Sequence, residues 1–314
     1  MQPFPVTRIA HVRSEKAAPT WLIEDLWGDE AVGFIAGTPK AGKTWLALEL
    51  AVAVASGRPC LGRHAVRKPG HVLLYAAEDT AAGIKHRVAS IAKARGLDDI
   101  ERLAIGLITV PDLRLDADEH QQRLAATLAD IKPRMLILDP LVRLHRGDEN
   151  SAADVSSLLG CLRQLQRQHS VAIVLVHHIR KSPAMQPGQS LRGSGDLHAW
   201  SDSSLYLLRR RDAVELQAEH RAHPSPRPMQ VELRAEPAMH LHVTGEAKST
   251  GHTQEDQLAA RALKALADEP MNRAALREAL GVRNERLGNV LAALEADGRI
   301  ARSGGVIVPV PDPK

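Results

Sequence analysis

The sequence predicts an α/β fold, with a mostly parallel sheet covered by helices and a small helical module after it. Short apolar runs alternate with helical stretches between residues 31 and 244, which is typical of a parallel sheet with helices on both faces. A polar break then precedes three amphipathic stretches and a short hairpin pattern. We expect a lead-in at 1–30, a core at 31–244, a linker at 245–256 and a winged helix-turn-helix domain at 257–314.

The expected core strands are short and apolar. Five of them should be parallel, at 33–37, 72–79, 104–110, 135–139 and 172–178. Three later runs, at 203–210, 213–220 and 229–236, alternate apolar with polar residues and predict a closing antiparallel edge. Trp21 and Trp27 are candidates to anchor the lead-in against this core.

Composition sets limits on the class of protein. The chain has 314 residues, 44% of them hydrophobic, and only two cysteines, Cys60 and Cys161. A disulfide scaffold and a thiolate metal site are therefore excluded, and no apolar run approaches the roughly 18 residues that span a bilayer. We expect a cytoplasmic protein with no membrane partner. The net charge of +4 permits a polyanionic partner but does not demand one.

The string GTPKAGKT at 37–44 fits the phosphate-loop pattern, and it lies between an apolar strand pattern and an apolar helix pattern. In such a loop backbone N–H groups surround the phosphates of ATP, Lys43 reaches the β and γ oxygens, and the Thr44 hydroxyl ligates Mg²⁺. The alternative is a plain turn with an exposed lysine. The expected nucleotide-binding residues are Gly37, Thr38, Pro39, Lys40, Ala41, Gly42, Lys43, Thr44 and Trp45.

Acidic residues end two of the expected strands. Asp139 closes the buried run MLILD, at the strand end where ligands bind in parallel sheets, and it could hold Mg²⁺ opposite Thr44. Hydrolysis also needs a group that orients water, and Glu78 is the first candidate. Asp79 is its rival, although it could instead cap the following helix.

These strings together resemble the RecA-like ATPase core, and within it the RepA-type group of hexameric replicative helicases. The matching strings are GFIAGTPKAGKTWLAL, LLYAAEDT, LILDPL and VLVHHIRKS, and the resemblance covers roughly residues 20–240. It implies a catalytic role for Glu78 and a γ-phosphate sensor at His177, with His178 adjacent. Packing or capping is the simpler explanation of this histidine pair.

The resemblance also implies shared active sites in a homo-oligomeric ring, such as a hexamer. An arginine of the neighbouring subunit would then stabilise transition-state charge. Arg221 in AEHRAHPSPRP is the candidate, and its competitors are Arg209, Arg210 and Arg211. An arginine on an edge strand is otherwise an ordinary solvated charge.

Contacts with single-stranded or duplex DNA are expected at two places. The Gly- and Ser-rich stretch 181–195 corresponds to the central-channel loop of RecA-like rings, and Lys181 and Arg192 would contact phosphates there. In the C-terminal domain the third helix would be the recognition helix, with Arg283, Arg286 and Asn289 near its start. That domain has no basic surplus, so contact with a protein is equally open.

Three functions fit these expectations. The first is an ATP-driven DNA motor of the RepA type. The added C-terminal domain puts pure strand translocation in doubt and favours a second function, a DNA-dependent ATPase that serves as a regulator or as an accessory in recombination or replication. The third is a KaiC-like nucleotide switch, for which the basic loop would have no role.

Overall fold

The computed structural model describes residues 3–11, 20–147, 152–178, 195–210, 213–246, 254–282, 284–296, 299–303 and 306–310. It forms two compact units, Met1–Ala247 and Lys248–Lys314. The strands are β1 Trp21–Ile23, β2 Trp27–Gly28, β3 Val32–Gly37, β4 Val72–Ala76, β5 Ile105–Leu107, β6 Met135–Asp139, β7 Ala172–His178, β8 Ser203–Arg210, β9 Ala213–His220, β10 Met229–Arg234, β11 His240–Glu246, β12 Ile300–Ser303 and β13 Val306–Pro309.

The helices follow the predicted alternation with strands. They are α1 Lys43–Ser56, α2 Ala81–Ala94, α3 Asp118–Ile131, α4 Ala152–His169, α5 Gly195–Trp200, α6 Gln254–Asp268, α7 Arg273–Leu280 and α8 Asn284–Ala296. Short 3-10 turns cover Ile9–His11, Ile100–Arg102 and Leu141–Arg143. Among the described helices, none combines the length and apolarity needed to span a bilayer.

The central sheet has the described strand order β11-β10-β9-β8-β3-β7-β6-β4-β5. Strands β3 to β8 pair in parallel, whereas β9, β10 and β11 continue the sheet antiparallel. The predicted mostly parallel sheet and its antiparallel edge are therefore confirmed. Two details differ from the expectation: β8 is parallel to β3, and β11 is an additional strand.

Both faces of the parallel part are buried, as its continuous apolar runs require. On one face, side chains such as Ile35 and Val174 pack in the cluster that contains α1 and α2 residues. On the other face, Phe34 and Leu175 pack in the cluster that contains residues of α3, α4 and α5. The parallel pairing of these strands places their carboxyl ends along one edge of the sheet, where the candidate site lies.

Residues that precede the predicted core already belong to the packed part of the first unit. Trp27 is fully buried, and its Nε1 donates to the Ala31 carbonyl over 3.1 Å. Trp21 lies in β1 and stacks on His223 with ring centroids 3.8 Å apart. Part of the expected lead-in, the β1–β2 pair, is thus built into the core.

The second unit contains α6, α7, α8 and the antiparallel pair β12–β13. Apolar residues of all three helices and both strands, among them Leu258, Leu276, Leu291 and Ile307, form its own core. Asn272 caps α7, where its side chain accepts from the Ala275 N–H. This order of elements is the one that a winged helix-turn-helix requires, and that identity remains a prediction.

Candidate nucleotide-binding site

The loop between β3 and α1 has the backbone that the phosphate-loop pattern demands. Gly42 precedes α1 with φ 95°, and Lys40 has φ 62°, so the chain turns through left-handed conformations that favour glycine. A Cβ on Gly37 would lie 2.7 Å from the Leu207 carbonyl oxygen of β8, which excludes any side chain there. The loop therefore delivers the N-terminus of α1, with its free N–H groups, to the sheet edge.

Lys43 is held inside the loop. Its side chain is 7% exposed, and its Nζ donates to the carbonyl oxygens of Gly37 over 3.2 Å and Thr38 over 3.0 Å. Burial lowers the pKa of Lys43, although the nearby Asp139 and Glu78 raise it. The ammonium group is thus pre-positioned above the loop, where phosphate oxygens would replace carbonyl oxygens as its acceptors.

Thr44 and Asp139 meet directly across the site. The Thr44 hydroxyl donates to Asp139 Oδ2 over 2.8 Å, although β7 separates β3 from β6 in the sheet. The helix α1, which crosses over the sheet, makes this contact possible. Burial raises the pKa of Asp139 to about 6, opposed by the Thr44 hydrogen bond and reinforced by the Asp79 carboxylate.

This pair fits a magnesium ion. A hydroxyl and a carboxylate are hard oxygen donors, and Mg²⁺ in nucleotide sites uses one or two such side chains together with phosphate oxygens and water. Among the described residues no group of three His, Cys, Asp or Glu is clustered for a metal ion. The oxygen donors of Thr44 and Asp139 would hold magnesium together with the nucleotide.

The raised pKa of Asp139 predicts a pH-dependent stability of the metal-free protein. Between about pH 4 and pH 7 the folded state retains a proton that the unfolded chain has lost, so the Asp139 contribution to stability falls as pH rises through the folded pKa of about 6. Relative to Asp139→Asn, the wild type should lose free energy of unfolding across this window. Urea unfolding in EDTA at several pH values measures the difference.

Asp130→Asn is the matched control, since Asp130 is exposed in α3. Its stability should follow that of the wild type across the same pH range. Parallel curves for wild type and Asp139→Asn would show that burial does not perturb this carboxyl.

Glu78 lies two residues beyond β4 on the same edge. Its side chain is 52% exposed, and its Oε1 lies 3.2 Å from Nε of Arg143, which follows β6. Both ionic groups are well solvated, so the pair adds little to stability. The charge of Glu78 nevertheless acts on Lys43 and Asp139 at the mouth of the site.

Asp79 does not cap the following helix, which was the alternative expected for it. Its Oδ2 lies 2.7 Å from Nη1 of Arg87, and the Arg87 guanidinium lies 5.8 Å from the Trp45 ring centre. The cap of α2 is Thr80, which accepts from the Gly83 N–H. The helix-capping assignment for Asp79 was wrong because the hydroxyl one residue later takes that position.

These residues surround one cavity of about 810 Å³, within the size range of small-molecule sites. The phosphate loop, the two acidic strand ends and the antiparallel strands all contribute to its lining. The lining residues are Lys40, Ala41, Gly42, Lys43, Thr44, Trp45, Glu78, Asp79, Arg87, Asp139, Arg209, Ala213, Val214, Gln230, Val231, Glu232, Leu233, Leu241 and Thr244.

His177 is not brought into this cavity. Its side chain is 2% exposed, and its ring lies 6.2 Å from that of Phe34, on the sheet face opposite α1. In contrast to Glu78 and Asp139, it is absent from the described lining residues. The expected sensor would therefore act only through its neighbours, and the side chain of His178 lies outside the description.

Arg221 follows β9 at the edge of the sheet opposite the phosphate loop. His220, the residue before it, pairs with Ser203 at the start of β8, whereas Gly37 of the phosphate loop pairs with Leu207 further along β8. The Arg221 side chain is 53% exposed and forms an ion pair with Asp202 over 3.2 Å, and its Nη2 also donates to the Ala199 carbonyl. Arg221 is not among the described lining residues of the cavity, whereas Arg209 is.

Most side chains proposed to contact DNA lie outside the described part of the structure. Lys181, Arg192, Arg211 and Arg283 lie outside the described residues, as do the side chains of Arg210, Arg286 and Asn289. The backbone positions of Arg286 and Asn289 lie in α8.

The sequence patterns did not identify Arg143 or the part of the cavity that is lined by the antiparallel strands β9, β10 and β11. Arg143 stands in a 3-10 turn that has no characteristic motif, so only its distance from Glu78 reveals it. These three strands did have a visible signal, because their apolar residues alternate with polar ones. The alternating apolar residues are Val214 and Leu216, Val231 and Leu233, and Leu241 and Val243. What the alternation does not predict is that this part of the sheet borders the phosphate loop.

Comparison with known proteins identifies the family of the chain. Residues 2–184 match the family described as AAA domain. Similar solved structures include the RadB recombinase, 19% identical with a TM-score of 0.47 over 66% of this chain and 88% of that one. Another is described as an ATPase domain and is 16% identical, with a TM-score of 0.48 over 65% of this chain and 82% of that one. Since the family match covers more than half of its length, the chain belongs to the AAA-domain family and is a P-loop ATPase.

Proposed function

We propose that this ATPase works as an oligomeric motor on DNA, in the manner of RepA-type replicative helicases. The supporting observation is the convergence of Lys43, Thr44, Glu78 and Asp139 on one cavity at the carboxyl edge of the sheet. ATP would lie with its phosphates over the N-terminus of α1. The proposed compartment is the cytoplasm, where the two free cysteines would stay reduced.

Each residue has a distinct task in the proposed reaction. Lys43 binds the β- and γ-phosphate oxygens and stabilises charge on the transferring group. Glu78 orients a water molecule and accepts its proton as the oxygen attacks the γ-phosphorus, and the bond to the β–γ bridging oxygen breaks to release ADP. Thr44 and Asp139 hold Mg²⁺, which neutralises phosphate charge when bound.

The position of Arg221 supports a site shared between subunits. A basic residue that acts on ATP from its own chain should line the cavity, as Arg209 does. Arg221 is far from that cavity and exposed, so it is available to the site of a neighbouring copy. Its ion pair with Asp202, which also binds Arg163 over 2.5 Å, would hold the guanidinium in a defined direction.

Mixing inactive subunits tests this arrangement. Arg221→Ala and Lys43→Ala should each be inactive alone, yet their mixture should recover part of the wild-type ATPase rate. Active sites in the mixture can combine Lys43 from one subunit with Arg221 from the other. Phosphate release across mixing ratios, with the mass of the assembly measured in parallel, provides the readout.

Arg209→Ala is the matched control for the mixing experiment. Because Arg209 and Lys43 line the same cavity, any activity that Arg209→Ala loses should not return when it is mixed with Lys43→Ala. Recovery with Arg209→Ala and none with Arg221→Ala would transfer the trans role to Arg209.

The second unit favours one alternative function. Its three helices and strand pair form a separate core, which suits a DNA-dependent ATPase that is recruited to duplex DNA or to a protein and regulates replication or recombination without unwinding. The two proposals differ in the nucleic acid that stimulates hydrolysis.

A further inference from the structure

The edge of the sheet opposite the nucleotide site carries an excess of positive charge. The connections that enter the adjacent parallel strands β4, β6 and β7 all lie at this edge. Residues 57–71, which lead into β4, include four lysines and arginines, whereas 131–134, before β6, include two and 164–171, before β7, include one. These three stretches of sequence contain no aspartate or glutamate. Since the whole chain has a net charge of only +4, its positive charge is concentrated here.

Backbone contacts hold the three connections side by side. The Arg134 N–H donates to the His71 carbonyl over 2.7 Å, and the Ala172 N–H donates to the Arg134 carbonyl over 3.0 Å. The side chain of Arg134 lies over Gly70, where an added Cβ would be 2.7 Å from Arg134 Cγ. Gly70 in turn donates to the Val54 carbonyl of α1 over 3.0 Å. The end of α1 and the three connections therefore form one continuous surface.

Four cations on this surface, which we call the amino-edge patch, are exposed to solvent. They are Arg58, Lys132, Arg134 and Arg167. None of their side chains forms an ion pair or hydrogen bond with another described residue, whereas the nearby Arg67 is paired with Glu24 over 2.7 Å. The negative end of a helix accounts for a cation beside it, such as Arg167 in the last turn of α4. Arg134 belongs to no helix, so its place in the patch has no such explanation.

The amino-edge patch has defined limits on both sides. The connection to β5, at 97–104, contains three acidic residues and one arginine. At the start of β8, Asp202 is already paired with Arg163 over 2.5 Å and with Arg221 over 3.2 Å. Asp130 in α3 is the acidic residue nearest to Lys132 in sequence, and one carboxylate does not balance four cations. The patch is thus a local positive surface between two regions where charges are balanced.

The chemistry of the patch favours nucleic acid over protein as its partner. Protein–protein interfaces have an apolar centre, but none of the exposed large apolar residues in the described chain lies in the three connections. Binding of single-stranded DNA relies on aromatic side chains that stack on bases, and these connections contain no Phe, Trp or Tyr. Guanidinium and ammonium groups are the usual partners of backbone phosphates.

We propose that the amino-edge patch binds the phosphate backbone of duplex DNA, at the edge of the sheet opposite the nucleotide. Contacts of this kind position a duplex without reading its sequence. The inference rests on the proposed function, because it takes DNA as the partner of this ATPase.

The salt dependence of duplex binding tests the patch. Fluorescence anisotropy of a labelled mixed-sequence duplex, measured over a range of KCl concentrations, should compare the wild type with the double variant Lys132→Gln/Arg134→Gln. Each phosphate contact adds about 0.9 to the slope of log affinity against log salt, so the variant should lower the magnitude of the slope by about 2. Its affinity at low salt should fall about tenfold or more. An unchanged thermal unfolding midpoint shows that the variant is folded.

The double variant Lys85→Gln/Arg123→Gln removes the same charge elsewhere. Lys85 is exposed in α2 and Arg123 in α3, outside the three connections, so both affinity and slope should equal the wild-type values. The inference is overturned if the patch variant keeps the wild-type slope, or if the control variant loses as much affinity as the patch variant. A wild type that binds no DNA overturns the proposed function itself, whereas normal duplex binding by the patch variant leaves that function intact.

Discussion

The variant Lys43→Ala should lose ATP hydrolysis by at least about a hundredfold, the scale of removing one positioned transition-state charge or donor. Lys43 is the buried cation of the phosphate loop, and its Nζ already lies within hydrogen-bond distance of the loop carbonyls. Its removal takes the loop's own cation away from the phosphate charge. Release of inorganic phosphate at saturating MgATP gives the rate.

Lys93→Ala serves as the control for charge removal. Lys93 lies exposed in the last turn of α2, outside the described lining of the cavity, and its variant should retain the wild-type rate. Undiminished hydrolysis in Lys43→Ala would remove the phosphate loop from the mechanism.

The second large effect is expected for Glu78→Gln. This variant should bind MgATP with nearly unchanged affinity and hydrolyse it about 100- to 10,000-fold more slowly, as for loss of a general base. The amide keeps the size of the side chain and its place beside Arg143, but it cannot accept a proton from water. A single-turnover assay separates binding from the chemical step.

Asp79→Asn distinguishes the two neighbouring carboxylates. Since Asp79 is paired with Arg87, its variant should weaken that local contact and change the rate only a few-fold, within the modest value of a solvated ion pair. An inactive Asp79→Asn beside an active Glu78→Gln would exchange the two assignments.

The parallel sheet and the residues of the phosphate loop were predictable from sequence because their signals are local. The strands β6 to β9 begin and end at the predicted residues, since each is a buried or alternating run that stops at a turn. The glycines of the loop and Asp139 at a strand end are likewise defined by short patterns. Residues with such signals meet at the edge of any parallel sheet.

The rest of the site depends on distant contacts that no local pattern encodes. Arg143 reaches Glu78 across 65 residues of sequence, and Arg95 reaches the Leu241 carbonyl across 146. For His177 the sequence indicates the end of β7, but only the structure shows that alternation along this strand directs the side chain toward Phe34 rather than into the cavity. Its role as a sensor stays a prediction. Which face of the sheet a side chain occupies, and how deeply it is buried, depends on how the helices cover the sheet. That arrangement is a property of the whole fold.

The most direct test of the proposed motor is the rate of ATP hydrolysis with no DNA, with single-stranded DNA and with duplex DNA, measured together with the mass of the assembly. The motor predicts strong stimulation by single-stranded DNA in a ring, such as a hexamer. Stimulation by duplex DNA alone would indicate the regulator instead. An unchanged rate with both forms of DNA would contradict the coupling of this site to nucleic acid and favour a nucleotide switch.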